Sequence, residues 1–154
     1  MTHPRFASAL LALLASLPLF AATAEATVTN PMASVQRFVE GFNTGDTAMG
    51  LSACAPSTSI IDEFPPHTWA SCADWAKAFA AMSKQQGISG GIVTLGKPTH
   101  VDITGSVAYV VVPATFTYKQ NGKPVTESGS TWTLVLKMTP AGWKIVSWAW
   151  AAGK

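Results

Sequence analysis

Charge is scarce in this chain. Only 10 Lys and Arg and 8 Asp and Glu occur among 154 residues, for a formal net charge of +2. No basic stripe emerges, so no nucleic-acid partner is expected, because phosphate recognition needs clustered Lys and Arg. Cysteine is scarce too, with Cys54 and Cys72 alone. Two cysteines and the two histidines beyond the N-terminal segment lack zinc-ligand spacing, so neither a metal nor a cofactor is expected. Beyond residue 24 no apolar run is long enough to cross a bilayer. The low charge does not signal disorder, since 48% of the residues are hydrophobic and six are Trp.

The apolar surplus is uneven. Of the first 24 residues, 16 are hydrophobic. A weakly positive start, Met1-Thr2-His3-Pro4-Arg5, leads into an apolar run from Phe6 to Ala22. Ala22-Thr23-Ala24 then supplies small residues in the A-x-A arrangement. This three-part pattern predicts a signal peptide over 1–24, cleaved after Ala24, and a periplasmic or secreted protein. No Cys stands just after the run, so no lipid anchor is indicated, and no membrane association is expected after cleavage. Residues 25–154 are long enough for a single domain with its own core. In an oxidising compartment an even pair of cysteines reads as one disulfide, Cys54–Cys72. Closing a loop of that length stabilises the fold by about 3 kcal/mol.

Helices come first along the chain. Asn30 and Pro31 suit a helix start, and Val35, Phe38, Val39 and Phe42 form one apolar stripe ended by Gly45. Asp46 caps a short second helix bearing Met49 and Leu51. A third runs from Ser71 to Gly87, with Asp74 in its first turn and Trp75, Ala78, Phe79 and Met82 as its core stripe. Ile60-Ile61 reads as a short strand between the second and third helices. Pro65-Pro66 ends it and holds the chain extended. Four long strands follow, over about 92–104, 107–119, 125–138 and 143–151. Gly105-Ser106, Asn121-Gly122 and Pro140-Ala141-Gly142 separate them. In the last strand, strict alternation puts Trp143, Ile145 and Ala149 on one face and Val146, Trp148 and Trp150 on the other. The order predicts an α+β fold, with three N-terminal helices packed in a strongly curved, mostly antiparallel sheet that leaves a cone open at one end.

Two segments carry a family resemblance. Val35-Gln36-Arg37-Phe38-Val39-Glu40-Gly41-Phe42-Asn43-Thr44-Gly45-Asp46 resembles the first helix and Asn-x-Gly-Asp corner of the nuclear transport factor 2-like superfamily, nearest its SnoaL-like and ketosteroid-isomerase-like branches. Ala141-Gly142-Trp143-Lys144-Ile145-Val146-Ser147-Trp148 resembles its closing strand. The resemblance spans 31–152 and implies a cystatin-like cone with an apolar pocket, often dimeric through the outer sheet face. It also implies a general base at Asp62 or Glu63. The isomerase branch carries a Tyr donor where this chain has Phe38, and an Asp donor where it has Thr131-Trp132. Enolate stabilisation needs donors aimed at the developing charge. The resemblance therefore implies a departure from isomerase chemistry of that type.

Asp62, Glu63 and His67 form the densest titratable cluster. Alternation at the end of a strand sends only one of the two carboxylates into the cone. Burial would raise its pKa and suit it to acid or base work, with His67 as partner. The alternative is that Asp62 or Glu63 caps backbone N–H groups and that His67 is a solvated loop side chain. His100 and Asp102 share one strand face and read as solvated. Phe38, Phe42, Trp69, Phe79, Phe116, Tyr118 and Trp132 are the expected pocket lining. Trp75 is expected in the core, and Trp148 and Trp150 against a partner subunit. The leading expectation is an exported domain that binds a small apolar or aromatic molecule. The alternatives are a lyase, dehydratase or isomerase using Asp62 or Glu63 with His67, and a homodimeric interaction module paired through the outer sheet face.

Overall fold

A computed structural model describes residues 30–153. The expected signal peptide lies outside the described residues. Helix α1, Met32–Thr44, begins where the Asn30 side chain accepts the Met32 N–H at 2.9 Å, and it stops at Gly45 with φ 74°. Asp46 caps α2, Thr47–Ser52, by accepting the Met49 N–H at 2.9 Å. The two helices approach so closely that a Cβ on Gly41 would lie 2.3 Å from the Gly50 nitrogen, which restricts position 41 to glycine. Ser71 caps α3, Cys72–Gln86, by accepting the Asp74 N–H at 3.1 Å, and Gly87 closes that helix. The stripe residues Val35, Phe38, Val39 and Trp75 are buried, while Phe42, Phe79 and Met82 are half-buried.

Seven strands form one mixed sheet: β1 Cys54–Ile61, β2 Thr68–Trp69, β3 Ile88–Leu95, β4 His100–Thr104, β5 Val107–Gln120, β6 Lys123–Thr139 and β7 Gly142–Ala151. Their order is β2-β1-β7-β6-β5-β3, with β4 also paired to β5. All pairings are antiparallel except β1 with β7. The three helices pack against the concave side of this curved, unclosed sheet, the α+β cone expected from the sequence. Asn121 and Gly122, both at positive φ, make the two-residue turn between β5 and β6. A Cys54–Cys72 disulfide joins the first residue of β1 to the first of α3.

Three local expectations need correction. The strand expected over 92–104 is two strands, because Gly96 to Thr99 leave the ladder and Pro98 has no N–H to give it. Gly96 and Thr99 instead donate to Pro113 and Val111 on β5, so β3 and β4 lie end to end along that strand. Pro65-Pro66 does end β1, but the chain turns back there instead of staying extended. The peptide between the two prolines is cis, Asp62 N–H donates to the His67 carbonyl at 3.0 Å, and β2 pairs with β1. The third correction concerns β7. Val135 faces Ser147 while Leu136 faces Ile145, so Val146 is an extra residue in a β-bulge. The bulge reverses the alternation, and Trp143, Ile145, Trp148 and Trp150 all fall opposite concave-face residues of β6. Ala149 goes to the outer face with Thr133.

The regular part of the concave face is a dry core. Val110, Val112, Leu134 and Leu136 have no exposed surface, and Ile145 has 1%. Each such side chain contributes roughly 1.5–3 kcal/mol by leaving water.

Candidate functional site

Beyond that dry core, the concave face opens into a cavity of about 810 Å³, counted with its open mouth. Phe38, Trp75, Trp132 and Trp148 are buried and form its inner wall; the half-buried Phe42, Phe79, Phe116 and Trp150 lie nearer solvent. The rings brace one another edge to face, with centroids 4.8 Å apart for Trp75–Trp148 and for Trp132–Trp148, and 5.3 Å for Phe38–Trp148. These contacts fix the orientation of each ring against its neighbours along the wall.

Two carboxylates enter from the segment after β1. Asp62 is buried, and its Oδ2 accepts the Trp75 indole N–H at 2.8 Å while its Oδ1 accepts the Glu63 backbone N–H at 2.7 Å. Burial raises its pKa above the ordinary Asp value. The hydrogen bonds from Trp75 and Glu63 offset part of that rise, nearby Glu127 adds to it, and His67 opposes it. Glu63 is exposed but also lines the cavity, at its rim. Its pKa is raised by burial, then by the charges of Glu127 and Asp62. The expectation that only one carboxylate would reach the cone assumed continued strand alternation, but β1 ends at Ile61 and the turn carries both to the cavity.

A third carboxylate was missed in the sequence. Glu127 on β6 lines the cavity, and its Oε1 accepts the Tyr118 hydroxyl at 3.1 Å. Its Oε2 is shut off from solvent and has no hydrogen-bond partner. Burial, followed by the hydrogen bond to Glu127 and the charges of Glu127 and Glu63, raises the Tyr118 pKa. Counting back from Trp132 by twos puts Glu127 on the outer face. A bulge between the pairs Ala114–Ser130 and Phe116–Glu127 shifts the count by one, with Gly129 at φ 77°. The glycine between two serines was the one available signal.

The expected lining residues Phe38, Phe42, Phe79, Phe116, Tyr118 and Trp132 all border the cavity. Trp69 does not; its ring packs, tilted, against the lining residue Phe64, at 4.5 Å between centroids. His67 does not either. Its backbone has φ 70°, its side chain is exposed, and its Nδ1 lies 3.2 Å from the backbone oxygen of Asp62, not from the carboxylate. The structure thus separates His67 from the cavity that holds Asp62 and Glu63. Trp148 and Trp150, expected to face a partner subunit, line the cavity because of the bulge at Val146. Trp75 is in the core as expected, and it also borders the cavity and orients Asp62. Among the described residues no group of three His, Cys, Asp or Glu could hold a metal ion, and no helix is long and apolar enough to cross a membrane.

Comparison with known proteins agrees with this architecture. A family model described as a SnoaL-like domain matches residues 32–150. No curated protein matches the sequence. Among solved structures, the chain is similar to a nuclear transport factor 2-like superfamily protein from Salmonella enterica serovar Typhimurium, with TM-score 0.70 and 18% identity, covering 85% of this chain and 94% of that one. It is also similar to an NTF2-like protein with a cystatin-like fold from Novosphingobium aromaticivorans, with TM-score 0.65 and 16% identity over 85% and 84% of the two chains. A ketosteroid isomerase-like protein from Erwinia carotovora atroseptica has TM-score 0.64 and 11% identity, over 82% and 94%. At these identities the likeness concerns the fold.

Proposed function

For a chain that belongs to the SnoaL-like family, whose fold alone does not dictate an activity, we propose a binding function: the cone takes up a small molecule with an apolar or aromatic body. The observation that carries this reading is the aromatic cavity itself, braced open by ring-on-ring contacts that leave it unfilled. The isomerase-type alternative has less support. Phe38 and Trp132 form the inner wall without a hydroxyl or carboxyl group, and His67 stands apart from the buried Asp62 carboxylate. We further propose that the protein works outside the cytosol. The Cys54–Cys72 disulfide supports that compartment, because such bonds persist in oxidising surroundings.

The test is a titration of the purified protein with N-phenyl-1-naphthylamine, a neutral fluorescent probe. The expected result is saturable enhancement at one site, with a Tm that rises with probe concentration as mass action requires. Val93→Trp, which puts a larger side chain into the cavity wall, should abolish the signal while leaving the far-ultraviolet circular dichroism intact. No saturable binding by the wild type, or full binding by the Val93→Trp variant, overturns the reading.

A further inference from the structure

The charges around the cavity all have one sign. Asp62, Glu63 and Glu127 line it, and among the described residues no Lys, Arg or His does. They come from two separate segments, the turn after β1 and the first third of β6, so their meeting is a product of the fold and not of adjacency in sequence. Electrostatic repulsion among them is evident, since the charge of Glu127 disfavours ionisation of both Asp62 and Glu63. Glu127 is further distinguished by its Oε2, which is closed off from water and lacks a donor. An acidic cluster held this way beside apolar walls costs stability unless a cation or a proton neutralises it.

The rest of the wall suits a cation as well. Aromatic ring faces attract ammonium groups through their quadrupoles, and the attraction strengthens when water is excluded. Trp132 and Trp148, more than nine-tenths buried, are two of the rings that form this wall.

We propose that the cavity selects organic cations: molecules whose apolar or aromatic body sits against the rings and whose ammonium head is held at the mouth between Glu63 and Glu127, with Asp62 behind. This rests on the small-molecule binding reading above and narrows its ligand class. The three carboxylates are then ligand groups, and the Tyr118 hydroxyl orients Glu127 toward the head group.

The experiment compares two probes of nearly equal shape. Benzoylcholine carries an aromatic ring, an ester oxygen and a trimethylammonium head. In 3,3-dimethylbutyl benzoate a tert-butyl group replaces that head. Binding is read by tryptophan fluorescence and calorimetry on the wild type and on Glu63→Gln and Glu127→Gln, two variants at half-exposed or exposed positions that keep the side-chain shape. The expected result is benzoylcholine binding about tenfold tighter than its neutral isostere. Each Gln variant should weaken benzoylcholine by about tenfold and change the isostere by less than about twofold. Equal or tighter binding of the isostere overturns the proposal, as does equal weakening of both probes by the Gln variants; either result leaves the apolar cavity standing if N-phenyl-1-naphthylamine still binds. If none of the three compounds binds, the cation proposal and the binding function fall together.

Discussion

The two ends of the concave face are built differently from the same strands. At the closed end Ala108, Val110, Val112, Leu134, Leu136 and Ile145 alternate strictly and are 0–1% exposed. They are branched or small aliphatic side chains that interdigitate and leave no room. At the open end the side chains are rings and carboxylates, many half-buried, around a cavity. The change coincides with the bulges at Val146 and next to Gly129. A strand that keeps its parity fills a core, and a strand that breaks it re-aims large side chains into a space they cannot fill.

Unfolding experiments put that contrast at risk. Leu134→Ala at the closed end should cost about 3–5 kcal/mol in urea titrations, by lost transfer energy and a residual cavity. Phe116→Ala at the open end removes a larger but half-buried side chain and should cost only about 1–2 kcal/mol. Equal costs would mean that the open end is packed like the closed one. A smaller effect tests the bulge on β6. A Cβ on Gly129 meets no neighbour within 4 Å, so Gly129→Ala isolates the strain of its positive φ. The expected cost is about 1–2 kcal/mol, whereas Thr126→Ala on the exposed face should stay within about 0.5 kcal/mol. An unaffected Gly129→Ala would show that this conformation is not required.

The smallest expected effect is a dependence on pH. Asp62 has a raised pKa in the folded protein, so the folded state binds its proton more tightly than the unfolded chain does. Its contribution to stability is therefore fully present below the ordinary Asp pKa and is lost as pH rises through the raised value. Asp62→Asn keeps an acceptor for the Trp75 indole and should reduce the slope of Tm between about pH 3.5 and 8, and Asp62→Asn with Glu63→Gln should reduce it further, because the Glu63 pKa is raised too. Ala108→Gly at the closed end should lower Tm without changing the slope. A slope unchanged in Asp62→Asn would assign it to another group.

The helices were readable because caps and stripes are local. Asn30, Asp46 and Ser71 accept the N–H groups that a helix start leaves free, and Gly45 and Gly87 adopt the left-handed conformation that ends one. Asn121-Gly122 was equally local. Most of the aromatic lining followed from the helix stripes and from the regular parts of β5 and β6. Glu127, Trp148 and Trp150 were not readable because a period of two carries no mark of where it slips by one. Pairing with the neighbouring strand decides that slip. His67 was misjudged for a related reason: a spacing of five from Asp62 says nothing about which way a tight turn aims a side chain.

The disulfide has one more consequence. Cys54 and Cys72 close a covalent ring that contains β1, Asp62, Glu63 and the hairpin back through Trp69. The other acidic residue, Glu127, and most of the rings lie outside it. A reducing environment would therefore act on the two halves of the site unequally. It would slacken the loop that presents Asp62 and Glu63, while the strands that carry Glu127, Phe116 and Trp148 kept their ladder. The Asp62 and Glu63 side of the mouth is in this sense tied to redox surroundings, and the Glu127 side and the aromatic bowl are not.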